Sequence, residues 1–200
     1  MSDVHEVQQL DDKHSHRRAE VAGQEKKWNA EIVEQIPYYF DQLVADSEWI
    51  ENYRELFGGE RQDYSESLER HYENGAPANW EESFISAYAS SHPWEDWAET
   101  WAHYLHLVDT LETAHACGLS LTPRKEAEPA MIITAPPLKI DSFDEIIADW
   151  FGLTYVLNSL NRSVCTPDSY PFKLSSPVQA KLHFIHKVVL AQADNPGSFS

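Results

Sequence analysis

The feature that most constrains this chain is the segment 90–118, which reads as one long helix with both ends marked. Ser91 suits the N-cap, because its hydroxyl accepts from an unpaired first-turn N–H, and Pro93 suits the first turn, where no N–H is missed. Gly118 follows the last periodic residue and supplies the left-handed conformation on which many helices stop. At about 100° per residue, Trp94, Trp97, Trp101, Tyr104, Leu105 and Val108 fall on one broad face. His92, Glu95, Glu99, His103 and His106 fall on the opposite one. A stripe this rich in indole must be buried, so the rest of the chain has to build a core around it. The stripe is therefore read as core and not as a cofactor box.

The flanking sequence supplies more helices. Apolar residues recur at helical spacing from Trp28 to Leu56 (Ile32, Ile36, Tyr39, Phe40, Leu43, Val44), interrupted by Pro37. Either a helix starts near Pro37 or it is kinked there. Gly58-Gly59 ends that stretch, and a second helix is expected over Arg61–Glu73, stopped by Asn74-Gly75-Ala76-Pro77. Asn79 is expected to cap a helix from Trp80 to about Tyr88. Residues 119–140 are proline-rich and aperiodic, so they read as a loop in which Met131-Ile132-Ile133 is a short strand or an apolar anchor. Asp141 or Ser142 caps a helix through Trp150 to Asn161, whose polar end (Asn158, Asn161, Arg162) reads as capping of the last carbonyls. Pro167–Pro177 is irregular, and a last helix runs from Pro177 to Leu190. The expected fold is mainly α, a set of helices with Pro-rich irregular connections. Residues 1–26 read as a polar tail or marginal helix, 27–192 as the helical domain, and 193–200 as a frayed C-terminus.

Charge narrows the function classes. The chain has 33 acidic against 15 Lys and Arg residues, a net charge of −18. Nucleic acid and anionic membranes bind through basic groups, so both are excluded as partners; a cationic partner would be favoured, although a surface this negative more often serves solubility alone. Cys117 and Cys165 form no C-x-x-C pair, which rules out a zinc ribbon within the chain and reads most simply as two thiols in a reducing cytoplasm. No apolar run reaches 18 residues, so no membrane span is expected. There is no G-x-S-x-G elbow, phosphate loop or dinucleotide turn. No H-E-x-x-H occurs either: His5-Glu6 opens such a string, but Gln9 stands at the second histidine.

What remains is a pair of acidic clusters. Glu95, Glu99 and His103 are successive i, i+4 neighbours, with Cβ atoms roughly 5–6 Å apart, near enough for two or three to share a metal. On spacing alone, a solvated face of Glu–His pairs is the commoner account of the same positions. Glu31, Glu34, Tyr38 and Asp41 surround Pro37, with Glu34 and Tyr38 also at i, i+4.

Three strings add a resemblance. SAYASSHPWEDWAETWAHYLHLVDTLETA (Ser86–Ala114), YRELFGGERQDY (Tyr53–Tyr64) and LTYVLNSLNRS with PDSYPF and KLHFIH (between Leu153 and His186) closely resemble a family of zinc-binding metallopeptidases of bacterial genomes. The resemblance covers about residues 38–190. In that family an upstream helix resembling H-E-x-G-H-Y-Y-(W/F)-D supplies two zinc-binding histidines and a glutamate general base. The resemblance implies an acidic third ligand from the later helix, Glu95 first and Glu99 second. The present chain reads Val33-Glu34-Gln35-Ile36-Pro37-Tyr38-Tyr39-Phe40-Asp41. Glu34 stands where the base would be, but both histidine positions are taken, by Val33 and Pro37, which cannot donate to a metal. The family's N-terminal zinc-ribbon region has no counterpart in the sequence.

Three accounts of this remain open: a degenerate relative, a lost upstream segment, or a site rebuilt by His5, His14 or His16 with Glu95. The resulting expectation is a catalytically degenerate metallopeptidase relative with zinc absent or weakly held. Its alternative is a pseudo-peptidase whose acidic cleft holds a peptide or protein partner without cutting it.

Overall fold

A computed structural model describes residues 40–45 and 48–194. Among the described residues five α-helices carry the fold: α1 (Ile50–Phe57), α2 (Tyr64–Asn74), α3 (Pro93–Ala116), α4 (Phe143–Ser163) and α5 (Ser176–Asp194). A π-helical turn, Asp41–Ala45, precedes them, and 3-10 turns sit at Trp80–Glu82, Tyr88–Ser91 and Pro137–Lys139. The only strands described are β1 (Ser120–Leu121) and β2 (Met131–Ile132), an antiparallel pair with Ser120 opposite Ile132. The protein is mainly α, as the periodicity requires.

Local chemistry explains most of the boundaries. Asp63 caps α2 by accepting from the Glu66 N–H at 2.8 Å, and Gly75, at φ 74°, ends it. Gly58, at φ 96°, closes α1 in a conformation that a side chain would resist. The cap of α3 is His92 and not Ser91. Its Nδ1 accepts from the Trp94 N–H at 3.0 Å, while Nε2 lies 3.2 Å from the Gln62 carbonyl. Those two contacts are satisfied together when Nε2 carries the proton. Pro93 follows at the first helical position, and Gly118 at φ 65° stands past the end.

Two expected helices are altered. Trp80–Tyr88 is not one helix but two separate 3-10 turns, and the Asn79 side chain bonds the Glu82 carboxylate at 3.3 Å instead of a backbone N–H. The last helix continues to Asp194, beyond Leu190. Met131 does form a short strand, with its side chain buried and Ile132 exposed. Cys117 and Cys165 are both exposed and free. No helix among the described residues is long and apolar enough to cross a membrane.

The core is arranged around α3, and this corrects the simple division of that helix into a core face and a solvated face. Trp97, Ala98, Tyr104, Leu107, Leu111 and Ala114 are buried, but so are Glu95, Asp96, Thr100 and His103. Trp94, Trp101, Leu105 and Val108 are only half-buried. The reason is that α3 is packed on several sides, by α1, by α5, by α4 and by the 3-10 turn Tyr88–Ser91. Trp97 is the hub: Tyr53, Phe57, Trp101 and Phe184 meet it at angles from 63° to 81° with centroids 5.5–6.1 Å away. Such tilted pairs put the positive edge of one ring against the negative face of another.

Candidate functional site

Glu95, on the first turn of α3, is turned towards α2 and not towards bulk water. Its carboxylate accepts from the Tyr64 hydroxyl at 2.5 Å, and only 8% of the residue is exposed. Burial first, and then the Glu95 carboxylate, push the Tyr64 phenol up to about 12. Tyr88 is raised too, by burial and then by the charge of Glu95. One turn on, Glu99 is raised by burial and by Glu95, while a hydrogen bond from Ser86 opposes the rise. The result is a cluster of two carboxylates and two phenols, closed by α2 and the turn Tyr88–Ser91. Of the two phenols, Tyr64 is the one that donates to Glu95.

His103, two turns beyond Glu95, belongs to a different neighbourhood. Its Nδ1 lies 2.9 Å from the Tyr170 hydroxyl, and its ring packs 4.4 Å from that of Phe172. Burial, with His106 adding to it, pushes the imidazole down to about 3, so it is neutral across the physiological range. Tyr170 itself is pinned from α4. The Asn158 amide donates to the Tyr170 carbonyl at 2.8 Å and accepts from the Tyr170 N–H at 3.0 Å. Asn161 holds the Pro167 carbonyl and the Ser169 hydroxyl, and Arg162 pairs with Asp168. The polar end of α4 therefore fastens the segment that follows it, which corrects the expectation that these side chains cap the helix.

The structure thus brings Glu95 and Glu99 together and sets His103 apart. Eight residues of α-helix separate Glu95 from His103, a rise of about 12 Å. Among the described residues no three of His, Cys, Asp and Glu are grouped closely enough to hold a metal ion. Zinc needs three protein donors around one open position in a catalytic centre, and the described residues do not supply such a set by themselves. Glu31, Glu34 and Tyr38 lie outside the described residues, and so do Val33 and Pro37. Tyr64, Tyr88 and Tyr170 were not singled out by spacing. Each acts across a tertiary contact, and only the strings ERQDY, SAYAS and PDSYPF, which carry the resemblance, contained them.

A profile of a family described as putative zinc-binding metallo-peptidase matches residues 33–188. The chain belongs to this family. Its matched region takes in the whole of α1 to α4, most of α5 and the segment from Val33 to Asp41. Uncharacterized proteins of Mycobacterium bovis and Mycobacterium tuberculosis are 45% identical over 153 residues, covering 76% of this chain and 43% of each relative. The chain spans less than half the length of these curated relatives. No solved structure matches it. In this member of the family, then, Glu95 is held by the Tyr64 phenol and Glu99 by a hydrogen bond from Ser86.

Proposed function

We propose that this chain is a catalytically degenerate member of the zinc-metallopeptidase family, which keeps the helical scaffold and binds a peptide or protein partner without cutting it. The observation that carries the reading is the pair Val33 and Pro37. Aligned on the family's pattern, they replace the two imidazoles that would hold zinc with a side chain and a ring that have no lone pair to offer. Glu34 at the base position then has no metal-bound water to act on. A net charge of −18 supports a cationic partner over nucleic acid or anionic lipid.

Elemental analysis after dialysis against a weak chelator tests the proposal, together with mass spectrometry of a peptide mixture incubated with the protein. Far less than one zinc per chain and an uncut mixture are expected. About one zinc per chain with specific cleavage would replace this reading with that of an active peptidase, Glu34 as its base and Glu95 as a ligand.

A further inference from the structure

Away from the carboxylate cluster, α4 forms one wall of an open groove that encloses about 680 Å³. The other walls are the loop 127–129 and the segment that Asn158 pins, and the aromatic lining is Trp150, Phe151, Tyr155, Tyr170 and Phe172. Three of these rings remain open to solvent in spite of their size: Phe151 is 44% exposed, Tyr155 49% and Phe172 41%. The polar side chains of the groove are mostly committed. Asn158 is spent on the Tyr170 backbone, and the Thr154 hydroxyl donates to the Trp150 carbonyl at 2.7 Å. Among the lining residues the one charged group is Glu128, held at the rim by a 2.7 Å hydrogen bond from the Tyr155 hydroxyl to its Oε2. No Lys or Arg lines the groove, and the nearby Arg162 is paired with Asp168.

From this geometry we infer that the groove is the binding site for a peptide that presents an arginine or lysine side chain beside an apolar residue. The inference rests on the reading of the chain as a peptide-binding scaffold and gives that scaffold a site and a ligand class. Aromatic rings offer their negative faces to a cation, and a carboxylate fixed at the edge of the same rings gives the cation a counter-charge. The apolar neighbour of the cation covers Phe151 and Phe172, which water would otherwise wet. A neutral apolar ligand would desolvate Glu128 without compensation, and an acidic one would meet both Glu128 and the overall negative field. Complementarity of charge therefore selects the basic peptide.

Fluorescence polarisation with a labelled, end-capped octapeptide of Gly and Ser around one Phe-Arg pair tests this, at an ionic strength of about 0.15 M, where diffuse attraction is screened beyond roughly 8 Å. The Arg peptide is expected to bind about tenfold or more tightly than its Arg→Gln counterpart, and Glu128→Gln should remove most of that difference. Tyr155→Ala should weaken the Arg peptide by a similar factor, whereas Glu69→Gln, on the exposed side of α2, should change nothing. Glu128, Tyr155 and Glu69 are all exposed, so each variant can be checked for an unaltered circular dichroism spectrum. Equal affinity for the two peptides would overturn the proposal in favour of an apolar occupant. An equal loss on Glu69→Gln would overturn it in favour of the general field. Mass spectrometry of the recovered probe reports separately on the non-hydrolytic reading: cleavage sinks that reading, while loss of Glu128 dependence sinks the groove.

Discussion

Glu95 and Asp96 are adjacent, both acidic and both buried, yet α3 turns them into opposite environments. Asp96 points into the core, fully buried, where the Lys181 ammonium meets its Oδ2 at 2.6 Å. The same ammonium donates to the Ser83 carbonyl at 2.7 Å and lies 4.5 Å from the centre of the Phe84 ring. Glu95 points to α2, where its partner is a neutral phenol. The difference teaches what each carboxylate is for. A charge answered by an opposite charge deep in the core is a fastening between helices, here α3 to α5. A buried carboxylate answered by a neutral phenol is instead held by a hydrogen bond alone, here between α3 and α2.

The first way to break this contrast is to remove the lysine. Lys181→Ala should destabilise the protein by about 3–5 kcal/mol in urea unfolding, because it strands a buried carboxylate. Asp96→Asn combined with Lys181→Met should recover much of the loss. A cost below about 1 kcal/mol for the single variant would mean that water reaches Asp96 and that the pair is no fastening.

Acid sharpens the contrast from the middle of the same helix. Burial holds the folded-state imidazole of His103 at about 3, against an ordinary 6.5. The unfolded chain therefore binds the extra proton across that interval. Stability from this group is whole above 6.5 and drains away as the pH falls towards 3, a loss on the order of 4 kcal/mol. Glu99, raised by burial, works in the opposite direction and offsets part of the loss. Melting temperatures measured down this pH range should fall less steeply for His103→Gln than for the parent chain. Identical slopes would show that His103 is solvated before unfolding.

The smallest effect belongs to the phenol. Tyr64→Phe keeps the ring against His92 and Trp94 but deletes the donor to Glu95, and should cost about 1–2 kcal/mol. No change at all would place Glu95 in full contact with water, and the distinction between the two carboxylates would vanish.

Much of this molecule was legible before any coordinates. The period of α3, the stops at Gly58, Gly75 and Gly118, and the irregularity of residues 119–140 follow from local sterics and hydrogen bonding, which act over a few residues. The cap of α3 departs from the local rule that favours serine, because the merit of His92 lies in the Gln62 carbonyl thirty residues away. The helix expected from Trp80 to Tyr88 failed because the backbone there serves the core instead: the Ser83 carbonyl accepts from Lys181, ninety-eight residues on.

The candidate site divides in the same way. Glu95, Glu99 and His103 could be named from their spacing and from the resemblance, and the loss of the two histidines to Val33 and Pro37 is written in the sequence alone. Spacing measures neighbours along one helix, however, and is blind to what approaches from another. Only the tertiary structure decided that Glu95 faces a tyrosine of α2, that His103 faces Tyr170, and that five rings and one carboxylate line a groove along α4. The sequence determined the helical class, most of the elements and the family, because those rest on local geometry and on strings of residues read in order. Burial and partnership were decided by packing, because the free energy of a charged or aromatic side chain depends on the groups that surround it in space.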